Sequence, residues 1–219
     1  MTPEREERIL GVLDKRQDSL TIVLENVFDP HNVSAVMRTC DAVGVQELYV
    51  LNTKIPTRKK WGAKSSSSAA GWLTIRQYKD AGPCFADLRK KYDRILTTHL
   101  GSGASSLYDL DLTGRIALVF GNEHDGVSDE IRTLADGNFI IPQVGIIRSL
   151  NISVACAVTL YEAFRQKSAA GHYDQRSLPD DQAAELLRKW GRGQLDPAGH
   201  PIPDPPVPGS IVNRLKNTP

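Results

Sequence analysis

The stretch IALVFGNEHDGVS, residues 116–128, decides the fold class. Its first five residues, Ile116 to Phe120, are all apolar, which is typical of a buried strand in a parallel sheet. A polar, glycine-containing loop follows at once, and residues 128–135 are predicted to form a short helix. A buried strand that leads through a short loop into a helix is the repeating unit of an α/β fold.

The same alternation continues in both directions along the chain. Strands are predicted at 20–24, 48–51, 73–78, 94–98 and 138–141, and helices at 3–17, 33–43, 84–92, 152–166 and 180–190. This order predicts a mostly parallel sheet with helices on both faces. The predicted divisions are an N-terminal helical extension (1–19), one α/β domain (20–167) and a polar, proline-rich C-terminal extension with one short helix (168–219).

Composition is that of an ordinary globular protein and leaves the partner open. The chain of 219 residues is 40% hydrophobic and 24% charged, with a formal net charge of +1. Nucleic-acid binding then depends on where the cations cluster. The three cysteines, Cys40, Cys84 and Cys156, form no CxxC pair, which argues against a disulfide framework or a zinc site. No membrane span or signal peptide is recognised, so we expect a cytoplasmic protein with no membrane partner.

Three segments place polar residues directly after apolar strands, at the sheet edge where open α/β folds bind ligands. Each residue taken singly also has an ordinary structural explanation as a helix cap, a salt-bridged arginine or a turn glycine. The absence of GxGxxG and Walker loops argues against a Rossmann dinucleotide site or a P-loop. The segments are NVSAVMRTCDAVG (32–44), in which Asn32 is expected to cap a helix, FGNEHDGVS (120–128) and IIPQVGIIRSLNISVACAVTLYE (140–162).

Together, the three segments resemble the three motifs of the SPOUT class of RNA methyltransferases, in particular its ribose 2′-O-methyltransferase branch. The similarity runs from about Leu20 to Gln166, and the string SLNISVA (149–155) is its most specific part. The stretch from Thr2 to Thr21 is further similar to the bacterial tRNA guanosine-18 2′-O-methyltransferases. Two departures carry no chemistry: Gln143 stands where the family often has Met, and Arg148 where it often has Gln.

The resemblance implies a parallel α/β sheet with a deep C-terminal trefoil knot, a homodimer, and S-adenosylmethionine as the methyl donor. No metal is implied, because the sulfonium methyl is already activated. The cofactor would lie between residues 97–101, 121–126 and 141–151. The implied cofactor-binding residues, most of them through backbone groups that contact the adenine and ribose, are Thr98, Leu100, Gly121, Ile141, Ser149 and Leu150.

Arg38 matches the catalytic arginine of the family. An arginine is a poor base because its pKa lies above about 12, so we expect Arg38 to position the ribose 2′-oxygen or its phosphate and to stabilise developing negative charge. The resemblance gives the remaining polar positions of the catalytic site to Asn32, Glu123, Ser149 and Asn151.

The expected partner is tRNA, bound by clustered cations. The favoured cluster is Arg58, Lys59, Lys60 and Lys64 in a serine-rich loop; a second, on the N-terminal helix, includes Arg5, Arg8, Lys15 and Arg16; a weaker third is Arg188, Lys189 and Arg192. All could instead be solvated surface charges. Ribosomal-RNA members of the branch usually carry an extra N-terminal RNA-binding domain, and only about twenty residues precede the first strand here.

Three other functions stay open at this stage. The first is methylation of a different tRNA or rRNA nucleotide, and the second is a non-catalytic RNA-binding or cofactor-binding protein of the same fold. The third is a generic nucleotide-binding enzyme, which the missing phosphate loops disfavour. Retention of Arg38 and of the SLN string (149–151) favours an active enzyme.

Overall fold

The structure, a computed structural model, describes residues 2–57, 69–101, 103–146 and 149–191. Within these ranges the strands are β1 (Leu20–Glu25), β2 (Glu47–Leu51), β3 (Thr74–Tyr78), β4 (Arg94–Thr98), β5 (Ser105–Ser106), β6 (Ile116–Phe120) and β7 (Gly137–Ile140). The helices are α1 (Pro3–Leu13), α2 (Pro30–Ala42), α3 (Ala69–Trp72), α4 (Ala81–Arg89), α5 (Asp129–Leu134), α6 (Ile152–Ala169) and α7 (Asp180–Gly191). No helix in these ranges is long and apolar enough to cross a bilayer.

The strands form one sheet in the order β3-β2-β1-β6-β4-β7-β5, and every neighbouring pair is parallel. This arrangement confirms the predicted α/β class. The central strands β1, β2 and β6 are buried along their whole length, as expected when both faces of a sheet are covered. Two short elements were not predicted, β5 and α3, because neither is long enough to show an apolar period.

Helices cover both faces of the sheet, and β1 shows the division residue by residue. Ile22 and Leu24 belong to the core beneath α2, α3 and α6, whereas Val23 belongs to the core beneath α4 and α5. Successive side chains of a strand point to opposite faces, so one apolar run supplies both cores. The buried thiols of Cys40 and Cys156 lie in the first core and that of Cys84 in the second.

The two terminal extensions pack against each other in a third core. Ile9 and Leu13 of α1 contact Leu186 and Trp190 of α7. The side chain of Thr2 accepts a hydrogen bond from the Arg5 amide, so Thr2 caps α1. The chain therefore brings its first and last described helices together on one side of the domain.

The predicted length of α1 is wrong, and so is the prediction that Arg16 binds RNA. The helix ends at Leu13, and Arg16 turns inward until only 1% of it is exposed. Its guanidinium donates hydrogen bonds to the Asp41 carboxylate and the Val45 carbonyl and lies 5.4 Å from the centre of the Trp190 ring. A buried arginine requires such partners, and these contacts hold α1 and α7 to the domain.

Both ends of α2 are set by local chemistry. Asp29, not Asn32, is the N-cap, because its carboxylate accepts the His31 amide hydrogen at 2.8 Å. At the other end, Val45 N donates to Cys40 O and Gly44 N to Asp41 O, the Schellman pattern. Gly44 has φ +81°, and a Cβ there would lie 2.5 Å from the Lys15 carbonyl oxygen, which confirms the predicted helix stop.

Candidate active site

The loops that follow β4, β6 and β7 converge with the start of α6 around a cavity of about 610 Å³. This is the carboxyl edge of the parallel sheet, where such folds bind ligands. The cavity gathers these residues of the predicted site: Thr98, Leu100, Gly121, Glu123, Ile141, Ser149, Leu150 and Asn151.

Asn32 joins all three polar segments through its side chain. Its amide nitrogen donates to Glu123 Oε1 at 2.7 Å, and its carbonyl oxygen accepts from Asn151 Nδ2 at 3.1 Å. Asn32 lies within the first turn of α2 rather than ahead of it, and it is only 8% exposed. The side chain expected to cap a helix thus fixes the positions of two other site residues.

The loop after β6 is held by its own backbone and by Asn122. The side-chain oxygen of Asn122 accepts from the His124 and Asp125 amides at 2.9 and 2.8 Å. A Cβ on Gly121 would lie 1.9 Å from the carbonyl carbon of Gly126, so no larger residue fits there. The carboxylate of Glu123 is therefore presented from a rigid loop.

Asn151 both caps α6 and contacts the first polar segment. Its side-chain oxygen caps α6 by accepting from the Ser153 amide at 2.8 Å and the Ser153 hydroxyl at 2.6 Å. Its amide nitrogen is the group that reaches Asn32. An N-cap residue is fixed by its helix, so the amide is aimed at Asn32 without further support.

His99 lines the cavity, and its contacts with other elements were not predicted from the sequence. Its ring nitrogen Nε2 lies 2.6 Å from Arg132 Nη1 of α5, and its carbonyl oxygen accepts from Asn138 Nδ2 at 3.0 Å. Arg132 also pairs with Asp129. These contacts fix the loop after β4 to α5 through Arg132 and to β7 through Asn138. No pattern in one sequence shows which distant side chains will meet a loop.

The lining of the cavity suits an adenosyl group that carries a sulfonium. Phe120, Phe139 and Ile152 are apolar and bury a planar ring, whereas Ser149 and Asn151 offer polar groups to ribose hydroxyls. The Glu123 carboxylate stands at the same cavity and favours a positive charge. Cofactor pockets are usually about 300–1,000 Å³, so the volume fits as well.

Arg38 lies apart from the cavity lining. It stands on the exposed side of α2, six positions after Asn32. The interior of the same helix holds Cys40, and burial raises the pKa of its thiol to about 12. A thiol with that pKa stays protonated, so it behaves as a core residue rather than a nucleophile. No group of His, Cys, Asp and Glu in the described ranges is arranged to hold a metal ion.

The structure places the cations predicted to bind RNA in different environments. Arg8 is exposed on α1, whereas Arg16 is buried as described above. Packing of α1 on α7 brings Arg8 to the helix that carries the exposed Arg188 and Lys189. The favoured cluster, Arg58, Lys59, Lys60 and Lys64, lies outside the described residues, as does Arg192.

Comparison with known proteins gives consistent matches. The model of the SpoU rRNA Methylase family matches residues 19–161. The chain is 40% identical to a tRNA (guanosine(18)-2'-O)-methyltransferase of Thermus thermophilus, over 87% of this chain and 97% of that protein. The TrmH/SpoU tRNA modifying enzyme of A. aeolicus has a similar structure, with a TM-score of 0.80 and 35% identity over 86% of this chain and 95% of that one.

A further solved structure contains a bound cofactor. It is the SpoU methyltransferase AviRb from Streptomyces viridochromogenes in complex with AdoMet, with a TM-score of 0.62 and 27% identity. The match covers 70% of this chain and 62% of that chain.

Proposed function

The chain belongs to the SpoU rRNA Methylase family, and on that premise we propose that it methylates the ribose 2′-hydroxyl of guanosine 18 in tRNA. The methyl donor is S-adenosylmethionine. The observation that carries the proposal is the bridge from Glu123 through Asn32 to Asn151, which assembles the polar residues of three separate segments at one cavity. Loss of catalysis would remove the selection for these residues, so the presence of the bridge together with Arg38 favours an active enzyme.

The reaction needs a ribose oxygen in line with a methyl group and relieved of its proton. S-adenosylmethionine would supply a methyl carbon made electrophilic by its positively charged sulfur, and the sulfur would keep the electrons of the broken sulfur–carbon bond, which leaves S-adenosylhomocysteine. Arg38, on the exposed side of α2, binds the 2′-oxygen or the neighbouring phosphate and offsets the negative charge that develops as the oxygen attacks. The proton passes to the substrate phosphate or to water, since a guanidinium cannot take it up.

Asn32, Glu123 and Asn151 orient the reacting groups. Because Asn32 uses both ends of its amide, the Glu123 carboxylate and the Asn151 amide stay fixed relative to each other. A fixed carboxylate at the cavity would favour one orientation of a positively charged cofactor. The Ser149 hydroxyl and the backbone at Thr98, Leu100, Gly121, Ile141 and Leu150 hold the rest of the cofactor; all six residues line the cavity.

The tRNA is held by cations on two parts of the chain. One part is the α1–α7 pair, where Arg8, Arg188 and Lys189 are exposed. The other is the cluster at 58–64, which has four cations and no carboxylate. Phosphate contacts of this kind position an RNA without reading its sequence.

We also propose that the protein is a homodimer in the cytoplasm and that its chain is knotted. Val154 and Tyr161, one above the other on α6, are 46% and 54% exposed, which supports an interface on this helix. In the sheet, β7 lies between the earlier strands β4 and β5, which supports a C-terminal trefoil knot. The three free, buried thiols are consistent with a reducing compartment.

Mass spectrometry of a tRNA transcript methylated in vitro tests the proposed function. After nuclease digestion, we expect one added methyl group on the fragment that contains guanosine 18, and only when S-adenosylmethionine is present. A transcript with adenosine at position 18 is the matched control. A methyl group on a different nucleotide would assign another substrate, and no methyl group on any tRNA or rRNA would overturn the assignment.

A further inference from the structure

Two aromatic rings flank the bridge between Asn32 and Glu123. Phe28 precedes Asn32 by four positions in the loop between β1 and α2, and His124 follows Glu123 directly. The ring centroids are 5.9 Å apart, with an angle of 58° between the ring planes. His124 lines the cavity, and Phe28 is 46% exposed beside it. The two segments that the bridge joins therefore also supply an aromatic rim.

Both rings stand on backbone that is fixed by hydrogen bonds. On the Phe28 side, Asp29 caps α2, and Asn26, with φ +49°, accepts from the Lys54 amide at 2.9 Å. On the His124 side, the Asn122 side chain accepts from the backbone amide of His124 itself. A rim built on fixed loops is ready to receive a ligand without reorganisation.

A single exposed Phe on a protein surface is common and needs no explanation. The position of Phe28 sets it apart, because its ring contacts the ring of a cavity residue. We expect a nucleotide of an RNA loop to turn out of its stack when its ribose enters an enclosed cavity, which removes stacking of the base. Proteins commonly replace this stacking with aromatic side chains, since every base has a π face.

We propose that the Phe28 ring, packed against the ring of His124, is a stacking platform for the base of the nucleotide whose ribose is methylated. This inference rests on the proposed function and adds to it the residues that hold the base. Stacking on the platform would direct the 2′-oxygen toward the cavity lined by Glu123, whose carboxylate is held by Asn32. A guanine base offers the platform a large π face, and phosphate binding is left to the cations.

The test compares Phe28→Ala with Phe28→Tyr, which keeps a ring, and with Tyr108→Ala, which removes an exposed ring outside the cavity. Tyr108 is 57% exposed and lies in a short 3₁₀ turn at 107–109, so it is a matched control. Each protein is titrated with a tRNA transcript that carries 2-aminopurine at position 18. Wild type and Phe28→Tyr are expected to quench the fluorescence of 2-aminopurine, and Phe28→Ala is expected to lose this quenching.

The same variants are measured with an unmodified transcript. Phe28→Ala should raise the KM for tRNA about 10-fold, the lower part of the range for loss of one stacked base. Its dissociation constant for S-adenosylmethionine should stay at the wild-type value, which shows that the cavity is folded. Phe28→Tyr and Tyr108→Ala should keep the wild-type KM.

Three outcomes would overturn the platform. One is quenching and kinetics of Phe28→Ala equal to those of Tyr108→Ala. Another is a Phe28→Ala protein that dissociates to monomers in sedimentation while its tRNA kinetics are unchanged, because Phe28 would then belong to an interface between copies. The third is equal loss of quenching in Phe28→Tyr. Failure of the proposed function is distinguishable from failure of the platform, because in that case wild type itself would methylate no transcript.

Discussion

The side-chain amide of Asn32 donates a 2.7 Å hydrogen bond to the carboxylate of Glu123, although 91 positions separate the two residues. The sheet explains the meeting. β1 and β6 are parallel neighbours, α2 begins soon after β1, and the Glu123 loop begins at the end of β6. Two loops that leave the same edge of adjacent strands come together without any long connection.

Loss of this bridge should slow methyl transfer more than it weakens cofactor binding. Asn32→Ala removes both hydrogen bonds of the side chain, and small displacements of reacting groups cost on the order of 10²-fold in rate. Asn32→Asp should be at least as slow, because it places a second carboxylate against Glu123. Single-turnover rates with saturating cofactor measure the effect, and a rate within twofold of wild type would refute the orienting role.

Arg38→Ala should lower the rate of methyl transfer by about 10²–10³-fold, the usual loss when one group that stabilises charge in the transition state is removed. Arg38 is absent from the cavity lining, so calorimetry should give a nearly unchanged affinity for S-adenosylmethionine. Arg38→Lys keeps the positive charge but loses the planar guanidinium group, so its rate of methyl transfer should lie between those of wild type and Arg38→Ala. Wild-type turnover by the alanine variant would exclude the proposed role.

Gly121→Ala should abolish cofactor binding. The added Cβ would overlap the carbonyl group of Gly126, so the loop that carries Glu123 must move. Gly114→Ala is the matched control, because nothing lies within 4 Å of a Cβ at that position. Calorimetry on both variants, with circular dichroism to confirm folding, decides the matter. Normal affinity in Gly121→Ala would mean that this loop does not hold the cofactor.

Lys167 should give the folded protein a pH-dependent stability. Its ammonium is fully buried and donates to Ser19 Oγ and to the carbonyls of Thr113 and Gly114 at 2.7–2.9 Å. Burial lowers its pKa to about 8, below the ordinary value of 10.5. Between these two values the unfolded chain holds a proton that the folded protein has released, so stability rises with pH in this window.

The contribution of Lys167 to stability is obtained by comparing the free energies of unfolding of wild type and Lys167→Met. The free energy of unfolding of wild type minus that of Lys167→Met should increase from pH 8 to pH 10, by at most about 1.4 kcal/mol per pH unit. Subtraction removes the other titrating groups, which both proteins share. A difference that does not change over this range would show that the lysine keeps its ordinary pKa.

The basic cluster at 58–64 should act on tRNA alone. Changing Lys59, Lys60 and Lys64 together to Ala should raise the KM for tRNA and leave the affinity for S-adenosylmethionine unchanged. Each lost phosphate contact should reduce the slope of log affinity against log salt by roughly 0.7–0.9. Filter binding at several salt concentrations measures the slope. An unchanged slope together with an unchanged KM would show that these lysines do not contact RNA.

Patterns with a clear physical cause were predictable from the sequence. Strand β6 is five apolar residues in a row, and α2 stops at a glycine that must adopt a left-handed conformation. The cavity residues were predictable for another reason: the string SLNISVA and the loops around Gly121 resemble known motifs, and the sheet brings them to one edge.

Tertiary contacts account for the errors. The charge pattern of the first helix placed Arg16 on the surface, but its partners Asp41 and Trp190 lie far along the chain, and no local pattern reveals them. The prediction that Asn32 caps α2 is wrong because Asp29, a residue equally suited to capping, stands three positions earlier and takes this role. The ring contact between Phe28 and His124 likewise depends on the meeting of two loops.

Transfer of a methyl group to the 2′-oxygen of guanosine 18 is tested most directly by a single-atom change in the substrate. Two tRNA transcripts are prepared that differ only at position 18, one with guanosine and one with 2′-deoxyguanosine. Transfer of radiolabelled methyl from S-adenosylmethionine is measured for both. We expect close to one methyl group per guanosine transcript and none on the deoxy transcript. Equal labelling of both transcripts would contradict methylation of this 2′-oxygen.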